Sequence, residues 1–239
     1  MNVNISSKVV LIAGGTGGLG RSVSLAFLAE GAKVIVTYRR IEQFEALKRS
    51  AERQAERLEG KRVDATDEQS VTILVEEIMK KYGRLDAVIN TVGGYAGGLK
   101  LWETESKVFN NMLDLNLRSG FALARAAMPS MLGQGSGAFI NIGAKAAVDH
   151  AAGAAAYAAS KAAAVAMMDC LAADAQGTGV RVNSILPSII DTEANRKAMP
   201  EAPFDKWPKA EEIAQVILFL VSDAASVIHG ASLPVYGNN

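Results

Sequence analysis

A glycine-rich turn between two different hydrophobic patterns constrains this chain more than any other feature. The run Val9-Val10-Leu11-Ile12-Ala13 is apolar without interruption, as a strand buried on both faces requires. Gly14, Gly15, Thr16, Gly17, Gly18, Leu19 and Gly20 follow at once, and a helical pattern covers 18–30. Glycines here let the backbone turn tightly and approach an anion, while the free N–H groups of the helix N-terminus point at it. The loop satisfies both GxGxxG (15–20) and GxxxGxG (14–20), and its place between strand and helix predicts a dinucleotide site.

The rest of the chain repeats this alternation. Strand patterns cover 8–13, 33–38, 62–65, 85–90, 138–142, 180–186 and 232–236, and helical patterns cover 18–30, 41–58, 67–82, 105–132, 154–175 and 209–222. Gly83, Gly133 and Gly177 stand near the ends of three of these helices. Strands joined by helices need right-handed crossovers and a parallel sheet covered on both faces. The prediction is one α/β domain of the Rossmann type over 1–239, doubly wound, with a seven-stranded parallel sheet. The most irregular segment, 188–208, is read as an active-site lid.

Composition excludes several classes of function. Apolar residues make up 49% of the 239, enough to fill a core and to argue against disorder. Lys and Arg total 25 and so do Asp and Glu, so no net charge draws in nucleic acid or an anionic membrane. The alanine-rich stretch 153–175 is broken by Lys161, Asp169 and Asp174 and does not read as a membrane span. The one cysteine, Cys170, permits no internal disulfide and no multi-cysteine metal site; it reads as buried filler in a reducing compartment. The N-terminal apolar run is too short for a signal peptide, so the expected location is cytoplasmic and no metal is expected.

An NAD site carries an acid at the end of its second strand, about 20 residues beyond the glycine loop, to hold the ribose hydroxyls. This chain has Tyr38, Arg39 and Arg40 there. Two guanidinium groups suit a 2′-phosphate, so NADP(H) is the preferred cofactor and NAD(H) the possible second. Tyr157 and Lys161 stand four apart on one helix face. An isolated phenol titrates near 10, and an ammonium beside it is expected to lower that value and let Tyr157 exchange a proton with a substrate.

With the glycine loop, these residues make the chain resemble the short-chain dehydrogenase/reductase family over essentially its whole length. The further matches are Asp64, Asn90, Gly93, Asn116, Pro187, Ile190 and Thr192. The resemblance implies that Tyr157 is the proton donor, Lys161 binds the nicotinamide ribose and assists the phenol, and Asn116 holds a relay water. It implies that Asp64 touches the adenine, that Asn90, Gly93, Pro187, Ile190 and Thr192 line the cofactor, and that the pro-S hydride is transferred. Members of the family pair the helices corresponding to 105–132 and 154–175 across a two-fold axis, so a homodimer or homotetramer is expected.

One departure matters. Where the family has a serine thirteen residues before the tyrosine, this chain has Ala144. The dihydropteridine reductase branch lacks that serine too, and three stretches resemble it: Gly93-Gly94-Tyr95-Ala96-Gly97-Gly98, Gly143-Ala144-Lys145-Ala146-Ala147, and Asp191-Thr192 with Asn195 through Ala202 to Trp207. The resemblance implies a quinonoid dihydropterin substrate, with Tyr95 and Ala144 beside it and Tyr95 offering a stacking face. The familiar animal enzymes of that branch carry an acid where this chain has Tyr38. Two other readings are a carbonyl reductase and a dinucleotide-binding regulator without turnover. Lys145 has no assignable role at this level, and His150 and His229 are read as loop hydrogen-bonding residues.

Overall fold

Every residue of β1 (Val9–Ala13) is buried, as its unbroken apolar sequence demands. The computed structural model describes residues 4–238. Beside β1 lie β2 (Lys33–Tyr38), β3 (Leu58–Arg62), β4 (Ala87–Asn90), β5 (Gly137–Ile142), β6 (Val180–Pro187) and β7 (Ser232–Val235). Their order is β3-β2-β1-β4-β5-β6-β7, and all the pairings are parallel. The helices are α1 (Gly18–Ala29), α2 (Ile41–Ala51), α3 (Glu68–Tyr82), α4 (Ser106–Leu113), α5 (Ser119–Gln134), α6 (Ala155–Asp174), α7 (Glu193–Ala198) and α8 (Ala210–Val221).

Side chains alternate across the sheet and sort into two layers. Val10 and Ile12 face α1 and α8 with Phe27, Leu28, Ile213 and Ile217. Leu11 faces α3, α5 and α6 with Leu74, Leu123 and Met168. Each such side chain contributes roughly 1.5–3 kcal/mol by leaving water. The strand order reverses at β1, whose neighbours are β2 and β4, and Ala13 pairs with Asn90 at the carboxyl end. The crevice beyond those two residues is where a doubly wound sheet takes its ligand.

The structure departs from the sequence reading at five places. Glu52 adopts φ 48°, which ends α2 at Ala51, and a 3-10 turn (Glu52–Arg57) replaces the expected helical continuation to 58. The third strand accordingly falls at Leu58–Arg62 rather than 62–65; it is an edge strand with only Leu58 buried, so it lacks the apolar alternation that marks the others. The expected helix over 105–132 is two helices, α4 and α5, joined through a π-helical turn at Asp114–Arg118. Gly135, with φ 70°, closes α5, whereas Gly133 lies inside it. Cys170 is exposed, because α6 buries the face of Ala164, Met168 and Ala172 and Cys170 points the other way. No helix among the described residues is long and apolar enough to cross a membrane.

Candidate active site

The glycine loop turns at the carboxyl end of β1 because no other residue fits. Gly14 has φ 73°, and a Cβ on Gly20 would lie 2.1 Å from the Gly14 carbonyl oxygen. The amide of Gly14 donates to Thr37 Oγ1 at 2.9 Å, and Thr91 Oγ1 donates to the Ala13 carbonyl at 2.7 Å. These two threonines tie β2 and β4 to the loop; single hydroxyls in strand-end positions gave no signal in the sequence. The first turn of α1 has no capping side chain and no acid, so its N–H groups remain available to an anion beside Thr16, Gly17 and Gly18. Leu19, by contrast, is buried in the core.

The end of β2 offers two cations. Tyr38 stacks on Phe44 with ring centroids 5.1 Å apart, while Arg39 and Arg40 are exposed and form no ion pair among the described residues. Asp64 accepts hydrogen bonds from the Thr66 amide and hydroxyl, which together with Arg39 hold its carboxyl below the usual range. A dinucleotide lying along the loop would therefore meet two uncommitted guanidinium groups and one carboxylate.

Beyond β4 the backbone is pinned from below. Asn90 donates to Asn141 Oδ1 at 3.0 Å and to Ser119 Oγ at 3.2 Å, and its own Oδ1 accepts from the Val92 amide. Asn116, on the π-helical turn, exchanges two hydrogen bonds with the Gly94 backbone, each 3.0 Å. It also donates to Ser160 Oγ, which donates to the Tyr157 carbonyl at 2.7 Å. Ser160 was not singled out by the sequence, although its place immediately before Lys161 could have marked it. π-helical turns recur at functional sites, and this one carries Asn116, which is hydrogen-bonded to the loop after β4.

Tyr157 and Lys161 lie one turn apart at the start of α6. Lys161 is buried, its Nζ donates to the Ile142 carbonyl at 2.7 Å, and burial pulls its ammonium down to about 8. A Cβ on Gly93 would lie 2.9 Å from Asn116 Oδ1 and 3.2 Å from Lys161 Nζ, so glycine is what lets both groups reach the crevice. The Tyr157 phenol is pushed up to about 12, chiefly by burial and secondarily by Tyr95. The expected lowering by Lys161 does not occur, because the ammonium is turned onto a carbonyl and burial dominates.

Tyr95 meets the Tyr157 ring edge-on, with centroids 5.0 Å apart at 75°. Ala144 follows β5 and is buried, and it has only a methyl side chain. Lys145 lies over the Tyr236 ring at 5.2 Å and pairs with Asp149 at 3.5 Å, which gives it a structural role at the end of β7. His229 is held between the Val182 amide and the Ala172 carbonyl, as a loop-bonding residue should be; His150 is exposed and makes no hydrogen bond among the described residues.

The segment 188–208 is less irregular than expected. It contains α7, capped by Thr192, and a 3-10 turn at Phe204–Lys206. Asp191 receives a two-point ion pair from Arg196, and Arg196 lies over the Phe204 ring. Its ends meet where the Asp191 amide donates to the Pro208 carbonyl at 2.9 Å. Pro187 ends β6, and the Ile190 side chain packs on the core. Thr192 stands against α1: a Cβ on Gly18 would lie 2.9 Å from its methyl group. A separate groove of about 580 Å³ lies at the opposite ends of the strands; its Arg84–Asp86 and Lys8–Asp223 pairs leave it without free catalytic groups.

Comparison with known proteins agrees with this geometry. The short chain dehydrogenase family matches residues 8–203. The chain is 30% identical over 243 residues to the 3-oxoacyl-[acyl-carrier-protein] reductase FabG of Thermotoga maritima, covering 98% of each. It is 32% identical over 244 residues to the D-threitol dehydrogenase of Mycolicibacterium smegmatis, covering 98% of this chain and 93% of that one. A solved structure of ElxO with NADP bound superposes with a TM-score of 0.92 at 28% identity, covering 97% of this chain and 98% of the other. The protein belongs to the short-chain dehydrogenase/reductase family of NAD(P)-dependent oxidoreductases.

Proposed function

We propose that this protein is an NADPH-dependent reductase whose substrate is a planar conjugated ring of the quinonoid dihydropterin kind. The carrying observation is Ala144: buried after β5, it has no hydroxyl with which to polarise a carbonyl. An electron-poor ring can accept hydride without that donor, whereas a ketone depends on it. The exposed Tyr95 ring beside Tyr157 supports a flat substrate.

The cofactor fits the residues present. Gly14, Gly17, Gly18 and Gly20 clear the backbone, the bare N-terminus of α1 suits a pyrophosphate, and Arg39 and Arg40 suit a 2′-phosphate. Asp64 lies on the adenine side, Asn90 and Gly93 border the nicotinamide side, Pro187 lines the cofactor at the end of β6, and Ile190 and Thr192 close over the loop as part of a lid at 188–208. Bound NADPH supplies the hydride. Tyr157 donates the accompanying proton, so that one hydride and one proton reduce the ring. Lys161 holds the ribose hydroxyls and returns a proton toward the phenol. Asn116 fixes the Gly94 backbone beside them and orders the relay water. Copies of the chain pair through the α4–α5 and α6 faces as a homodimer or homotetramer.

A carbonyl reductase is the second reading, favoured by the likeness to a 3-oxoacyl-[acyl-carrier-protein] reductase. The Ala144→Ser variant separates the two. On the proposed reading, the wild type consumes NADPH with quinonoid dihydropterin and turns over simple ketones slowly. Restoring one hydrogen-bond donor then raises ketone kcat/KM by up to about 10²–10³ without a comparable gain for the pterin. Fast ketone reduction by the wild type, with no pterin turnover, contradicts the proposal.

A further inference from the structure

We infer that Phe44 and Gly60 are positioning residues for cofactor choice: with Tyr38 they form a stack that draws the Tyr38 ring aside from an entering 2′-phosphate and closes the turn carrying Arg39 and Arg40. The inference rests on the reading of those two arginines as the groups that hold the phosphate.

The stack is built on one face of β2. Val36 pairs with Gly60 across β2 and β3, and Tyr38, two residues further on, projects to the same face as Val36. That face borders the glycine loop, since a Cβ on Gly15 would lie 2.5 Å from Val36 Cγ1. Glycine inside a strand weakens it and marks a place where another group comes close. At Gly60 that group is Phe44: a Cβ there would lie 2.4 Å from Phe44 Cε2 and 2.6 Å from Cδ2 and Cζ, so the ring rests directly on the strand backbone. The Tyr38 ring then stacks on Phe44, with centroids 5.1 Å apart and planes only 13° apart.

The place of this stack gives it a consequence for the cofactor. The end of the second strand is where a dinucleotide's adenosine ribose meets the protein, and an acid there takes the 2′-hydroxyl of NAD. Tyr38 holds that position in this chain, and its ring is committed to α2 through Phe44. Phe44 is the fourth residue of α2 and Arg40 is its N-cap, so Tyr38 and Phe44 flank Arg39 and Arg40 on the two sides of the turn. Their contact therefore closes the turn across its base. Neither guanidinium has an ion-pair partner among the described residues, so the closed backbone decides where the two cations start. Without the seat at Gly60, Phe44 has room to settle onto β3, and Tyr38 is released toward the space that the phosphate needs.

The test needs no substrate. Titration calorimetry on the full chain compares adenosine 2′,5′-bisphosphate with 5′-AMP, two ligands that differ by the 2′-phosphate alone, and then NADPH with NADH. The ratio of affinities within each pair reads the phosphate, whereas general damage to the fold weakens both members alike. The wild type is expected to prefer the phosphorylated member. Gly60→Ala and Phe44→Ala are expected to lower that ratio by about two- to tenfold, the worth of one offset aromatic contact expressed as an affinity, with the 5′-AMP value nearly unchanged. Phe44→Tyr, which keeps the stack, keeps the ratio. Circular dichroism checks folding, and where Phe44→Ala does not fold, Phe44→Leu removes the ring while keeping apolar bulk. A selective wild type whose ratio survives in Gly60→Ala and in the Phe44 variant, or variants that weaken both ligands equally, overturns the inference and leaves the assignment of Arg39 and Arg40 standing. A wild type that does not distinguish the two ligands removes that assignment and the inference with it.

Discussion

Replacing Tyr157 with phenylalanine is expected to lower kcat by about 10²–10⁴-fold, the range that general-acid catalysis contributes, while leaving NADPH affinity essentially unchanged. The separation follows from the contacts. The hydroxyl is the only group removed; the ring still meets Tyr95, and Ser160 donates to the Tyr157 main-chain carbonyl rather than to its phenol. Stopped-flow decay of NADPH absorbance reads the chemical step, and fluorescence titration reads binding. A variant that loses binding and turnover together would make Tyr157 a structural residue. A wild type that binds NADPH tightly but turns over nothing would favour the regulator reading.

Replacing Arg39 and Arg40 with alanine is expected to weaken NADPH while sparing NADH. A charged hydrogen bond contributes about 1.5–3 kcal/mol, so each guanidinium that reaches the 2′-phosphate is worth roughly ten- to a hundredfold in Kd. Neither side chain has an ion-pair partner to abandon in the free protein, so little of that is given back. Arg39 also acts on Asp64, the proposed adenine contact, and so part of its loss is expected to extend to both cofactors. The decisive quantity is the ratio of NADPH to NADH affinity. A ratio unchanged in the double variant would show that the end of β2 does not select the cofactor.

Much of the fold could be read from the sequence because its strands are buried on both faces. A run such as Val9–Ala13 has no other use, and the βαβ rhythm leaves one architecture. What escaped had no periodic signal. At β3, pairing with β2 forms a strand from Leu-Glu-Gly-Lys-Arg, where periodicity ends a helix at Leu58 and begins a strand only at Arg62. The π-helical turn at Asp114–Arg118 has an ordinary helical sequence, so its effect on Asn116 emerges only from the hydrogen bonds. Tyr157 and Lys161 were found by their spacing, but spacing says nothing of where an ammonium points, and Lys161 points at Ile142. The contact between Tyr95 and Tyr157 joins a glycine loop to a helix far along the chain, and the Gly98–Gly153 hydrogen bond that brings them together is made by backbone atoms, on which side-chain patterns are silent.

The most direct test of hydride transfer in this crevice uses NADPH deuterated at the pro-S position, incubated with the protein and quinonoid dihydropterin and compared with NADPH deuterated at the pro-R position. The proposed reaction predicts that the oxidised cofactor returns without deuterium from the first and with it from the second, at a rate that collapses in Tyr157→Phe. Loss of the opposite label, or no oxidation at all from a protein that binds NADPH, would contradict it.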